Sequence, residues 1–309
     1  MSGVRVAVCL ATRGREVGLA RALEGIAKQK LSNRDAGVQL RVIVVDNDAA
    51  GSAAAVCDRL RPSFPWPLAY TIEPRAGVTF ARNRALEMAK TDDFIAFVDD
   101  DEIPAETWIS QLLLVQQQYA ADVVFGPALT FFPEPVPKWA TEGHFFYGPR
   151  KPTGTMCSTG STQNVLFSTR LLQDTGFRFD EKFALSGSED YDFFQRVSRA
   201  GYRLVWADEA LVTEWCPRTR AKIGWLLQRH FRYGSTEISL RAVNSLPART
   251  LEAITALGRI MVGITCALLF IPLGKRHSIN ALRWVSFGLG LLYGLSGKQF
   301  QEYRTVRPV

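Results

Sequence analysis

Short apolar runs alternate with longer amphipathic stretches through the first part of the chain. The sequence predicts strands at Arg5–Leu10, Leu40–Val45, Leu68–Ile72 and Phe94–Val98, and helices at Glu16–Lys30, Ala53–Leu60, Thr79–Lys90 and Glu106–Tyr119. Strands that alternate with helices usually pair in parallel, because each helix carries the chain back across the sheet. We therefore expect an α/β domain with a mostly parallel sheet flanked by helices. In such a sheet the carboxyl ends of the strands face the ligand crevice.

Four consecutive carboxylates, Asp99 to Glu102, directly follow the run Phe94–Val98. Carboxylates packed together without a counter-charge repel one another, and their pKa values rise. A divalent cation would remove this conflict. Asp99 and Asp101 supply the hard oxygen ligands that Mg²⁺ or Mn²⁺ takes, with substrate phosphates completing the coordination shell. The alternative that these residues leave open is a solvated acidic turn, which caps a helix starting near Pro104.

Polar side chains follow the other three predicted strands as well. The first strand is followed by Thr12, Arg13 and Arg15, the second by Asp46 and Asp48, and the third by Gly77, Arg82 and Asn83. A carboxylate at a strand end can accept hydrogen bonds from a base or a ribose, and a helix start favours anions. Taken singly, Asp46 or Arg82 could be a helix cap or a member of a surface ion pair as readily as a ligand contact. Together, the four strand ends predict one sugar-nucleotide site.

After the predicted sheet, residues 131–163 are rich in Pro, Gly, Ser and Thr and predict long loops. A helix at Asp190–Ala200, strands at Arg203–Trp206 and Leu211–Thr213, and a helix from Lys222 to about Tyr233 are expected next. The five cysteines are scattered, which suits a reducing compartment, and the N-terminus has no signal-peptide pattern. These features predict a chain that begins in the cytosol.

The C-terminal part of the chain is basic and apolar. The net charge is +7, but after residue 217 Lys and Arg exceed acids by 11, whereas before it acids exceed bases by 4. The apolar segments Ile260–Leu273 and Ala281–Gly297 are shorter than the ~20 residues of a straight membrane span. They fit a hairpin of short membrane helices, helices in the membrane interface, or a soluble helical subdomain. Flanking bases suit an anionic leaflet, and their aliphatic neighbours argue against nucleic acid.

We therefore expect two parts: a domain at residues 1–245 and a helical, membrane-associated tail at residues 246–309. The expected location is the cytoplasmic face of the plasma membrane. Within the first part, Trp225, Arg229 and Arg232 form roughly one helical stripe. The two arginines could bind a diphosphate or a lipid-linked acceptor, or they could belong to a basic solvated face.

The ordered motifs carry a family resemblance over residues 4–234. They are "LATRGR", "VVDNDAAGSA", "GVTFARNRAL", "FVDDDE", "GSTQNVLFSTRLL" and "LSGSEDYDFFQRV". This set resembles the family 2 inverting glycosyltransferases with a GT-A, Rossmann-like fold, especially the bacterial exopolysaccharide branch with the succinoglycan glucosyltransferases. Ala11 stands where the family's Pro-Thr-x-x-Arg opening has proline, so the roles of Arg13 and Arg15 remain open.

The resemblance implies specific roles for these residues. It implies a nucleotide-sugar site of Thr12, Arg13, Arg15, Asp46, Asp48, Arg82, Asp99 and Asp100, a D-x-D metal site of Asp99 and Asp101, and Asp190 as catalytic base. Asn164, Glu189, Arg229 and Arg232 are candidates for acceptor or diphosphate contacts. The implied reaction moves a sugar, with UDP as the expected carrier, to a saccharide or lipid-linked acceptor in cell-surface polysaccharide synthesis.

Two other classes share some of these features. A nucleotidyltransferase of related fold would also have a sheet with an acidic metal site, but a glycine-rich basic loop after the first strand would favour it, and "LATRGR" has one glycine. A membrane scaffold that binds nucleotide without turnover would have lost its acids. Asp99, Asp101 and Asp190 are all present.

Overall fold

The computed structural model describes residues 3–31, 37–241, 243 and 245–302 and brings the first four predicted strands together in one sheet. The strands are β1 (Arg5–Thr12), β2 (Gln39–Asp46), β3 (Leu68–Ile72), β4 (Phe94–Val98), β5 (Glu102–Pro104), β6 (Val123–Phe125), β7 (Ala128–Phe131), β8 (Asn164–Ser168), β9 (Leu204–Trp206) and β10 (Val212–Trp215). The helices are α1 (Glu16–Ala27), α2 (Ala54–Leu60), α3 (Val78–Ala89), α4 (Trp108–Tyr119), α5 (Lys138–Glu142), α6 (Arg170–Thr175), α7 (Glu189–Arg199), α8 (Ile223–Leu240), α9 (Leu246–Leu269) and α10 (Lys275–Leu295).

The main sheet has the strand order β3-β2-β1-β4-β8-β6-β9. Parallel pairing joins β3, β2, β1 and β4, as the alternating pattern predicts, so the carboxyl ends of these strands meet at one edge. In contrast, β8 runs antiparallel to β4 and to β6. The result is a mostly parallel α/β sheet whose parallel half supplies the predicted strand ends.

Successive strand residues point to opposite faces of the sheet, and each face packs against helices. On one face Val8 and Val44 pack with Leu23 of α1, in a core that also includes α4. On the other face Cys9 and Val45 pack in a core formed with α3 and α7. Both faces are covered, which explains why these strands are almost continuously apolar.

A second, smaller sheet follows the acidic run. Its order is β5-β10-β7, and β5 pairs antiparallel with β10. The pairing of Glu102 with Glu214 extends the chain where the sequence suggested a helix near Pro104, so α4 begins only at Trp108. The solvated acidic turn is therefore wrong, because Asp100, Asp101 and Glu102 are all buried.

Of the expected tail helices, α10 packs closely against α8, and α9 packs against α10. A Cβ added at Gly234 of α8 would lie 2.1 Å from the carbonyl oxygen of Phe287, and one added at Gly290 of α10 would lie 2.1 Å from that of Phe231. Only glycine allows this approach, which brings the α8 and α10 backbones into direct contact. Helix α8 also runs to Leu240, beyond its predicted end, because α10 covers its last turns.

The charged side chains Glu252 and Arg259 of helix α9 contact other parts of the protein, whereas many of its large apolar side chains are exposed. Glu252 pairs with Arg241 at 2.8 Å, and the guanidinium of Arg259 lies over the ring of Phe287. The outward face instead carries Leu251, Ile254, Leu257, Met261 and Leu268, which are all more than half exposed. Among the described residues, α9 is the one helix long and apolar enough to cross a membrane by length and composition.

Candidate active site

The strand ends open into a cavity of about 830 Å³. Its lining includes predicted site residues from three regions of the chain. They are Arg15, Arg82, Asp99, Asp101, Glu189, Asp190, Arg229 and Arg232. The cavity therefore joins the strand ends, the start of α7 and one face of α8.

Arginines neutralise the acidic run in this structure. Arg220 donates from Nη2 to Oδ2 of Asp101 at 2.7 Å, and Arg15 Nη1 lies 3.4 Å from the same oxygen. Arg15 also donates to Oδ1 of Asp100 at 2.9 Å, and Thr12 donates to its Oδ2 at 2.7 Å. The crowded carboxylates are tolerated because cations from distant segments converge on them.

A second pairing surrounds Arg82, which is buried at the start of α3. Its Nη1 donates to Oε1 of Glu189, and its Nη2 donates to Oδ1 of Asp99 at 3.2 Å. Glu189 is 1% exposed, whereas the Asp99 side chain is 41% exposed. Glu189 thus serves mainly to hold Arg82 in place, while Asp99 presents a carboxylate to the cavity.

Burial and mutual repulsion raise the pKa values of four acids in this region, which are Asp99, Asp100, Glu102 and Glu214. Burial raises the pKa of Asp100 to about 6, although Arg15 opposes the shift. Burial, reinforced by the charges of Asp99 and Asp101, raises the pKa of Glu102 well above its usual value. The pKa of Glu214 is raised by burial and by Asp101. Asp99 and Asp101, which line the cavity, repel each other, and a bound cation would relieve that repulsion.

Asp190 stands at the start of α7 with a partly exposed carboxylate. The preceding Gly187 and Ser188 both have positive φ, 77° and 75°, and the Ser188 hydroxyl lies 3.0 Å from that of Thr236 on α8. Left-handed backbone at serine is costly, so the contact with Thr236 helps to hold this sharp turn. The Tyr191 N–H donates to Oδ1 of Asp190 at 2.8 Å, which fixes the carboxylate beside the cavity.

Helix α8 supplies an aromatic and basic wall. Arg229 lies over the rings of Trp225 and Tyr233, with 5.4 and 5.6 Å to the centroids, and its Nε donates to the Tyr233 hydroxyl. Arg232 also lies over Tyr233, at 5.1 Å. The predicted stripe on α8 therefore faces the cavity, and the alternative of a solvated basic face is wrong.

Two predicted ligand-binding residues, Asp46 and Asn164, are buried and form hydrogen bonds with other groups of the protein. Asp46 is fully buried and accepts hydrogen bonds from the N–H groups of Asp48 and Ala53 and from the Tyr70 hydroxyl. Asn164 is 2% exposed and bonds Trp108 Nε1 and the carbonyl oxygens of Pro127 and Ala210. In this structure Asp46 and Asn164 therefore satisfy polar groups of the fold, and their predicted contacts with a nucleotide and an acceptor remain predictions.

Four other predicted residues, Thr12, Arg13, Asp48 and Asp100, do not line the cavity. Thr12 and Asp100 are buried and bonded to each other, and Asp100 also accepts from Arg15, so the pair helps to position Arg15, while their own ligand contacts remain predictions. Asp48 accepts from the N–H of Ala50 in the loop after β2, and Arg13 follows β1 on the same edge. Ligand contacts of Asp48 and Arg13 remain predictions.

Sequence reasoning missed Glu214 and Arg220. Arg220 bridges Asp101 to Glu214, whose Oε1 lies 3.1 Å from Arg220 Nη1. Glu214 reaches this position because β10 pairs with β5, immediately after Asp101. The signal available in the sequence was the motif "VTEWCPRTR", whose charges had no assigned role.

The donor set of Asp99 and Asp101 fits a hard divalent cation. The arginines hold one oxygen of each carboxylate, which leaves Asp99 Oδ2 and Asp101 Oδ1 without a hydrogen bond among the described residues. Mg²⁺ is often held by one or two carboxylates together with substrate phosphates. No group of three His, Cys, Asp or Glu side chains in the described ranges forms a complete ligand set, so phosphate oxygens and water would supply the rest.

Comparisons with known proteins place this geometry in a family. The model of glycosyl transferase family 2 matches residues 7–178, and that of glycosyl transferase family group 2 matches residues 95–296. The chain is 34% identical over 291 residues to the succinoglycan biosynthesis protein ExoM of Rhizobium meliloti (strain 1021), covering 94% of this chain and 93% of that protein.

Solved structures share the fold at low identity. Mannosyltransferase PcManGT from Pyrobaculum calidifontis, in complex with GDP-Man and Mn²⁺, matches with a TM-score of 0.63 and 18% identity over 96% of this chain and 88% of that one. S. aureus TarS 1-349 in complex with UDP-GlcNAc matches with a TM-score of 0.56 and 16% identity over 92% and 90% of the two chains. The expected GT-A fold is confirmed, and the chain belongs to glycosyl transferase family 2 and is a glycosyltransferase.

Proposed function

We propose that this enzyme transfers a sugar, with inversion, from a nucleotide diphosphate sugar to a saccharide or lipid-linked saccharide in exopolysaccharide synthesis. The observation that carries the proposal is the single cavity that contains Asp99, Asp101 and Asp190 together with the arginines of α3 and α8. The relative ExoM, a succinoglycan biosynthesis protein, supports a polysaccharide product, and the UDP-GlcNAc complex of TarS supports UDP as the carrier.

The donor diphosphate binds at the strand ends. Asp99 and Asp101 would hold Mg²⁺ or Mn²⁺, which would supply charge neutralisation at the departing diphosphate. Arg15, Arg82 and Arg220 are already in the cavity and contribute further positive charge around it. Stabilisation of charge that develops on the leaving group is usually the largest catalytic contribution.

Asp190 acts as the general base. Its Oδ1 is held by the Tyr191 N–H, while its partly exposed carboxylate lines the cavity, so it can accept the proton of an acceptor hydroxyl. The deprotonating hydroxyl oxygen forms the new bond at the anomeric carbon as the bond to the diphosphate oxygen breaks. Attack opposite the leaving group inverts the configuration at that carbon.

The acceptor lies along α8. Trp225 and Tyr233 offer aromatic faces, which suit the apolar faces of sugar rings, and Arg229 and Arg232 offer charged donors for hydroxyl or phosphate oxygens. Tyr191 lines the same side of the cavity, beside Asp190. An acceptor bound here would present its hydroxyl to the base.

The outward face of α9 holds the protein at the cytoplasmic side of the plasma membrane. Leu251, Ile254, Met261 and Leu268 form an exposed apolar stripe, and the charged residues of this helix contact protein groups instead. Burial of such a stripe in the headgroup region stabilises association by roughly 25 cal/mol per Å² of apolar surface. A lipid-linked acceptor would then lie in the same leaflet, at high effective concentration.

The test is a hydrolysis screen of the purified protein against UDP-, GDP- and TDP-sugars with Mn²⁺ or Mg²⁺. We expect slow release of nucleotide from one class of donor, with UDP-sugars favoured, and loss of this release in Asp101→Asn. Absence of both hydrolysis and binding for every donor would contradict the proposed donor class.

A further inference from the structure

A second cavity, of about 610 Å³, lies at the turn between α9 and α10, where this turn meets α5. Its walls include Lys138, Lys275 and Arg276 with one acid, Glu142. We propose that this cavity binds the phosphate headgroup of an anionic membrane lipid. The proposal rests on the membrane contact argued above and specifies where that contact recognises lipid.

Charge is the first argument for an anionic ligand. All three basic side chains are exposed, and in the part of the chain that the structure describes none of them pairs with a carboxylate. Arg276 donates from Nε to the Nε2 atom of its neighbour His277, at 3.1 Å. Three cations that share one cavity attract an anion, and a single acid leaves their charge in excess.

The apolar surroundings indicate that this anion is a lipid and not free phosphate. Leu273 forms part of the cavity wall and is 63% exposed, and Ile271 beside it is also exposed. These side chains continue the outward apolar face of α9 through Leu268 and Leu269. A free phosphate needs only the cations, whereas a phospholipid needs cations next to a surface that accepts acyl chains.

Trp139 supplies a third feature, since it lines the same cavity and is half-buried. Indole rings are enriched at the level of lipid headgroups, because they combine an apolar body with a hydrogen-bond donor. A headgroup bound here would hold one end of the α9–α10 hairpin at the phosphate level of the leaflet. The membrane contact would then have a defined orientation, with the outward face of α9 along the lipid surface.

The test is vesicle co-sedimentation of the full-length protein with three vesicle types. They are phosphatidylcholine alone, phosphatidylcholine with phosphatidylglycerol, and phosphatidylcholine with oleate at the same surface charge. The cavity variant carries Lys138→Gln, Lys275→Gln and Arg276→Gln. The control variant carries Lys28→Gln, Arg84→Gln and Arg199→Gln, which removes the same charge from exposed positions outside the cavity and outside the tail.

We expect the wild type to prefer phosphatidylglycerol over oleate, and the cavity variant to bind phosphatidylglycerol vesicles of order 10²-fold more weakly while the control retains wild-type affinity. Equal loss in the two variants, or equal wild-type binding to phosphatidylglycerol and oleate, overturns the headgroup site but leaves the membrane contact standing. Failure of the wild type to bind any vesicle overturns both.

Discussion

Glu189 and Asp190 are neighbours in sequence, but their structural environments predict very different losses of stability when each carboxylate is neutralised. Glu189 is buried against Arg82, whose guanidinium is also buried and whose one other ion pair among the described residues is with the partly exposed Asp99. Glu189→Gln therefore leaves a buried charge poorly compensated. Removing one partner of a buried ion pair costs about 3–5 kcal/mol, because the remaining charge has lost both water and its counter-ion. In a chain of 309 residues that corresponds to a fall in Tm of roughly 5–8 °C.

The assay is thermal unfolding of the full-length protein in one detergent, with Asp190→Asn as the matched control. Asp190 is partly exposed and forms no ion pair among the described residues, so Asp190→Asn should change stability by no more than about 0.5 kcal/mol. The double variant Arg82→Met/Glu189→Met should recover much of the loss, since no unpaired charge remains. Equal shifts for Glu189→Gln and Asp190→Asn would refute the assignment of Glu189 as a structural acid.

Three further predictions follow from named contacts. Gly290→Ala should destabilise the protein by about 1–3 kcal/mol, because the added methyl group clashes with the Phe231 carbonyl. Gly258→Ala on α9, where a methyl group meets nothing within 4 Å, should stabilise the protein by about 0.5–1 kcal/mol. Equal effects of the two variants in thermal unfolding would refute the α8–α10 contact. Arg220→Gln should strengthen Mn²⁺ binding to the protein alone by about tenfold or more in calorimetric titration, because Asp101 loses a competing cation. Arg150→Gln breaks an ion pair outside the cavity and should leave Mn²⁺ affinity unchanged. Burial and the neighbouring Arg283 lower the pKa of His230 to about 4. The unfolded state therefore binds more protons than the folded state below pH 6.5, and the free energy of unfolding should fall from pH 7 towards pH 4. His230→Gln should flatten that slope, and an unchanged slope would contradict the prediction.

Local sequence patterns predicted the structural features that depend only on residues close together in the chain. The first four strands lie within two residues of their predicted ends, because apolar runs between turn residues are a property of each segment alone. The pairing of β5 with β10 could not be predicted in this way, since Glu102 and Glu214 become neighbours only in the folded chain. The same holds for Arg220 and Asp101, which are 119 positions apart.

Asp46 and Asn164 show a different limit. Both are polar residues at strand ends, where the sequence suggests ligand contacts. Each instead satisfies buried backbone groups, the N–H of Ala53 for Asp46 and the carbonyl of Ala210 for Asn164. A buried polar group must find hydrogen-bond partners, and whether these belong to a ligand or to the protein depends on loops that sequence patterns do not position.

The central claim is that Asp190 acts on the acceptor while Asp99 and Asp101 hold the donor. The most direct measurement is donor affinity and sugar transfer in Asp190→Asn, determined side by side by calorimetric titration with the nucleotide sugar and Mn²⁺ and by product formation on a saccharide acceptor. The predicted result is wild-type donor affinity with transfer reduced by a factor of order 10²–10⁴, the usual contribution of a general base. Transfer at a near wild-type rate, or loss of donor binding in proportion to activity, would contradict the account.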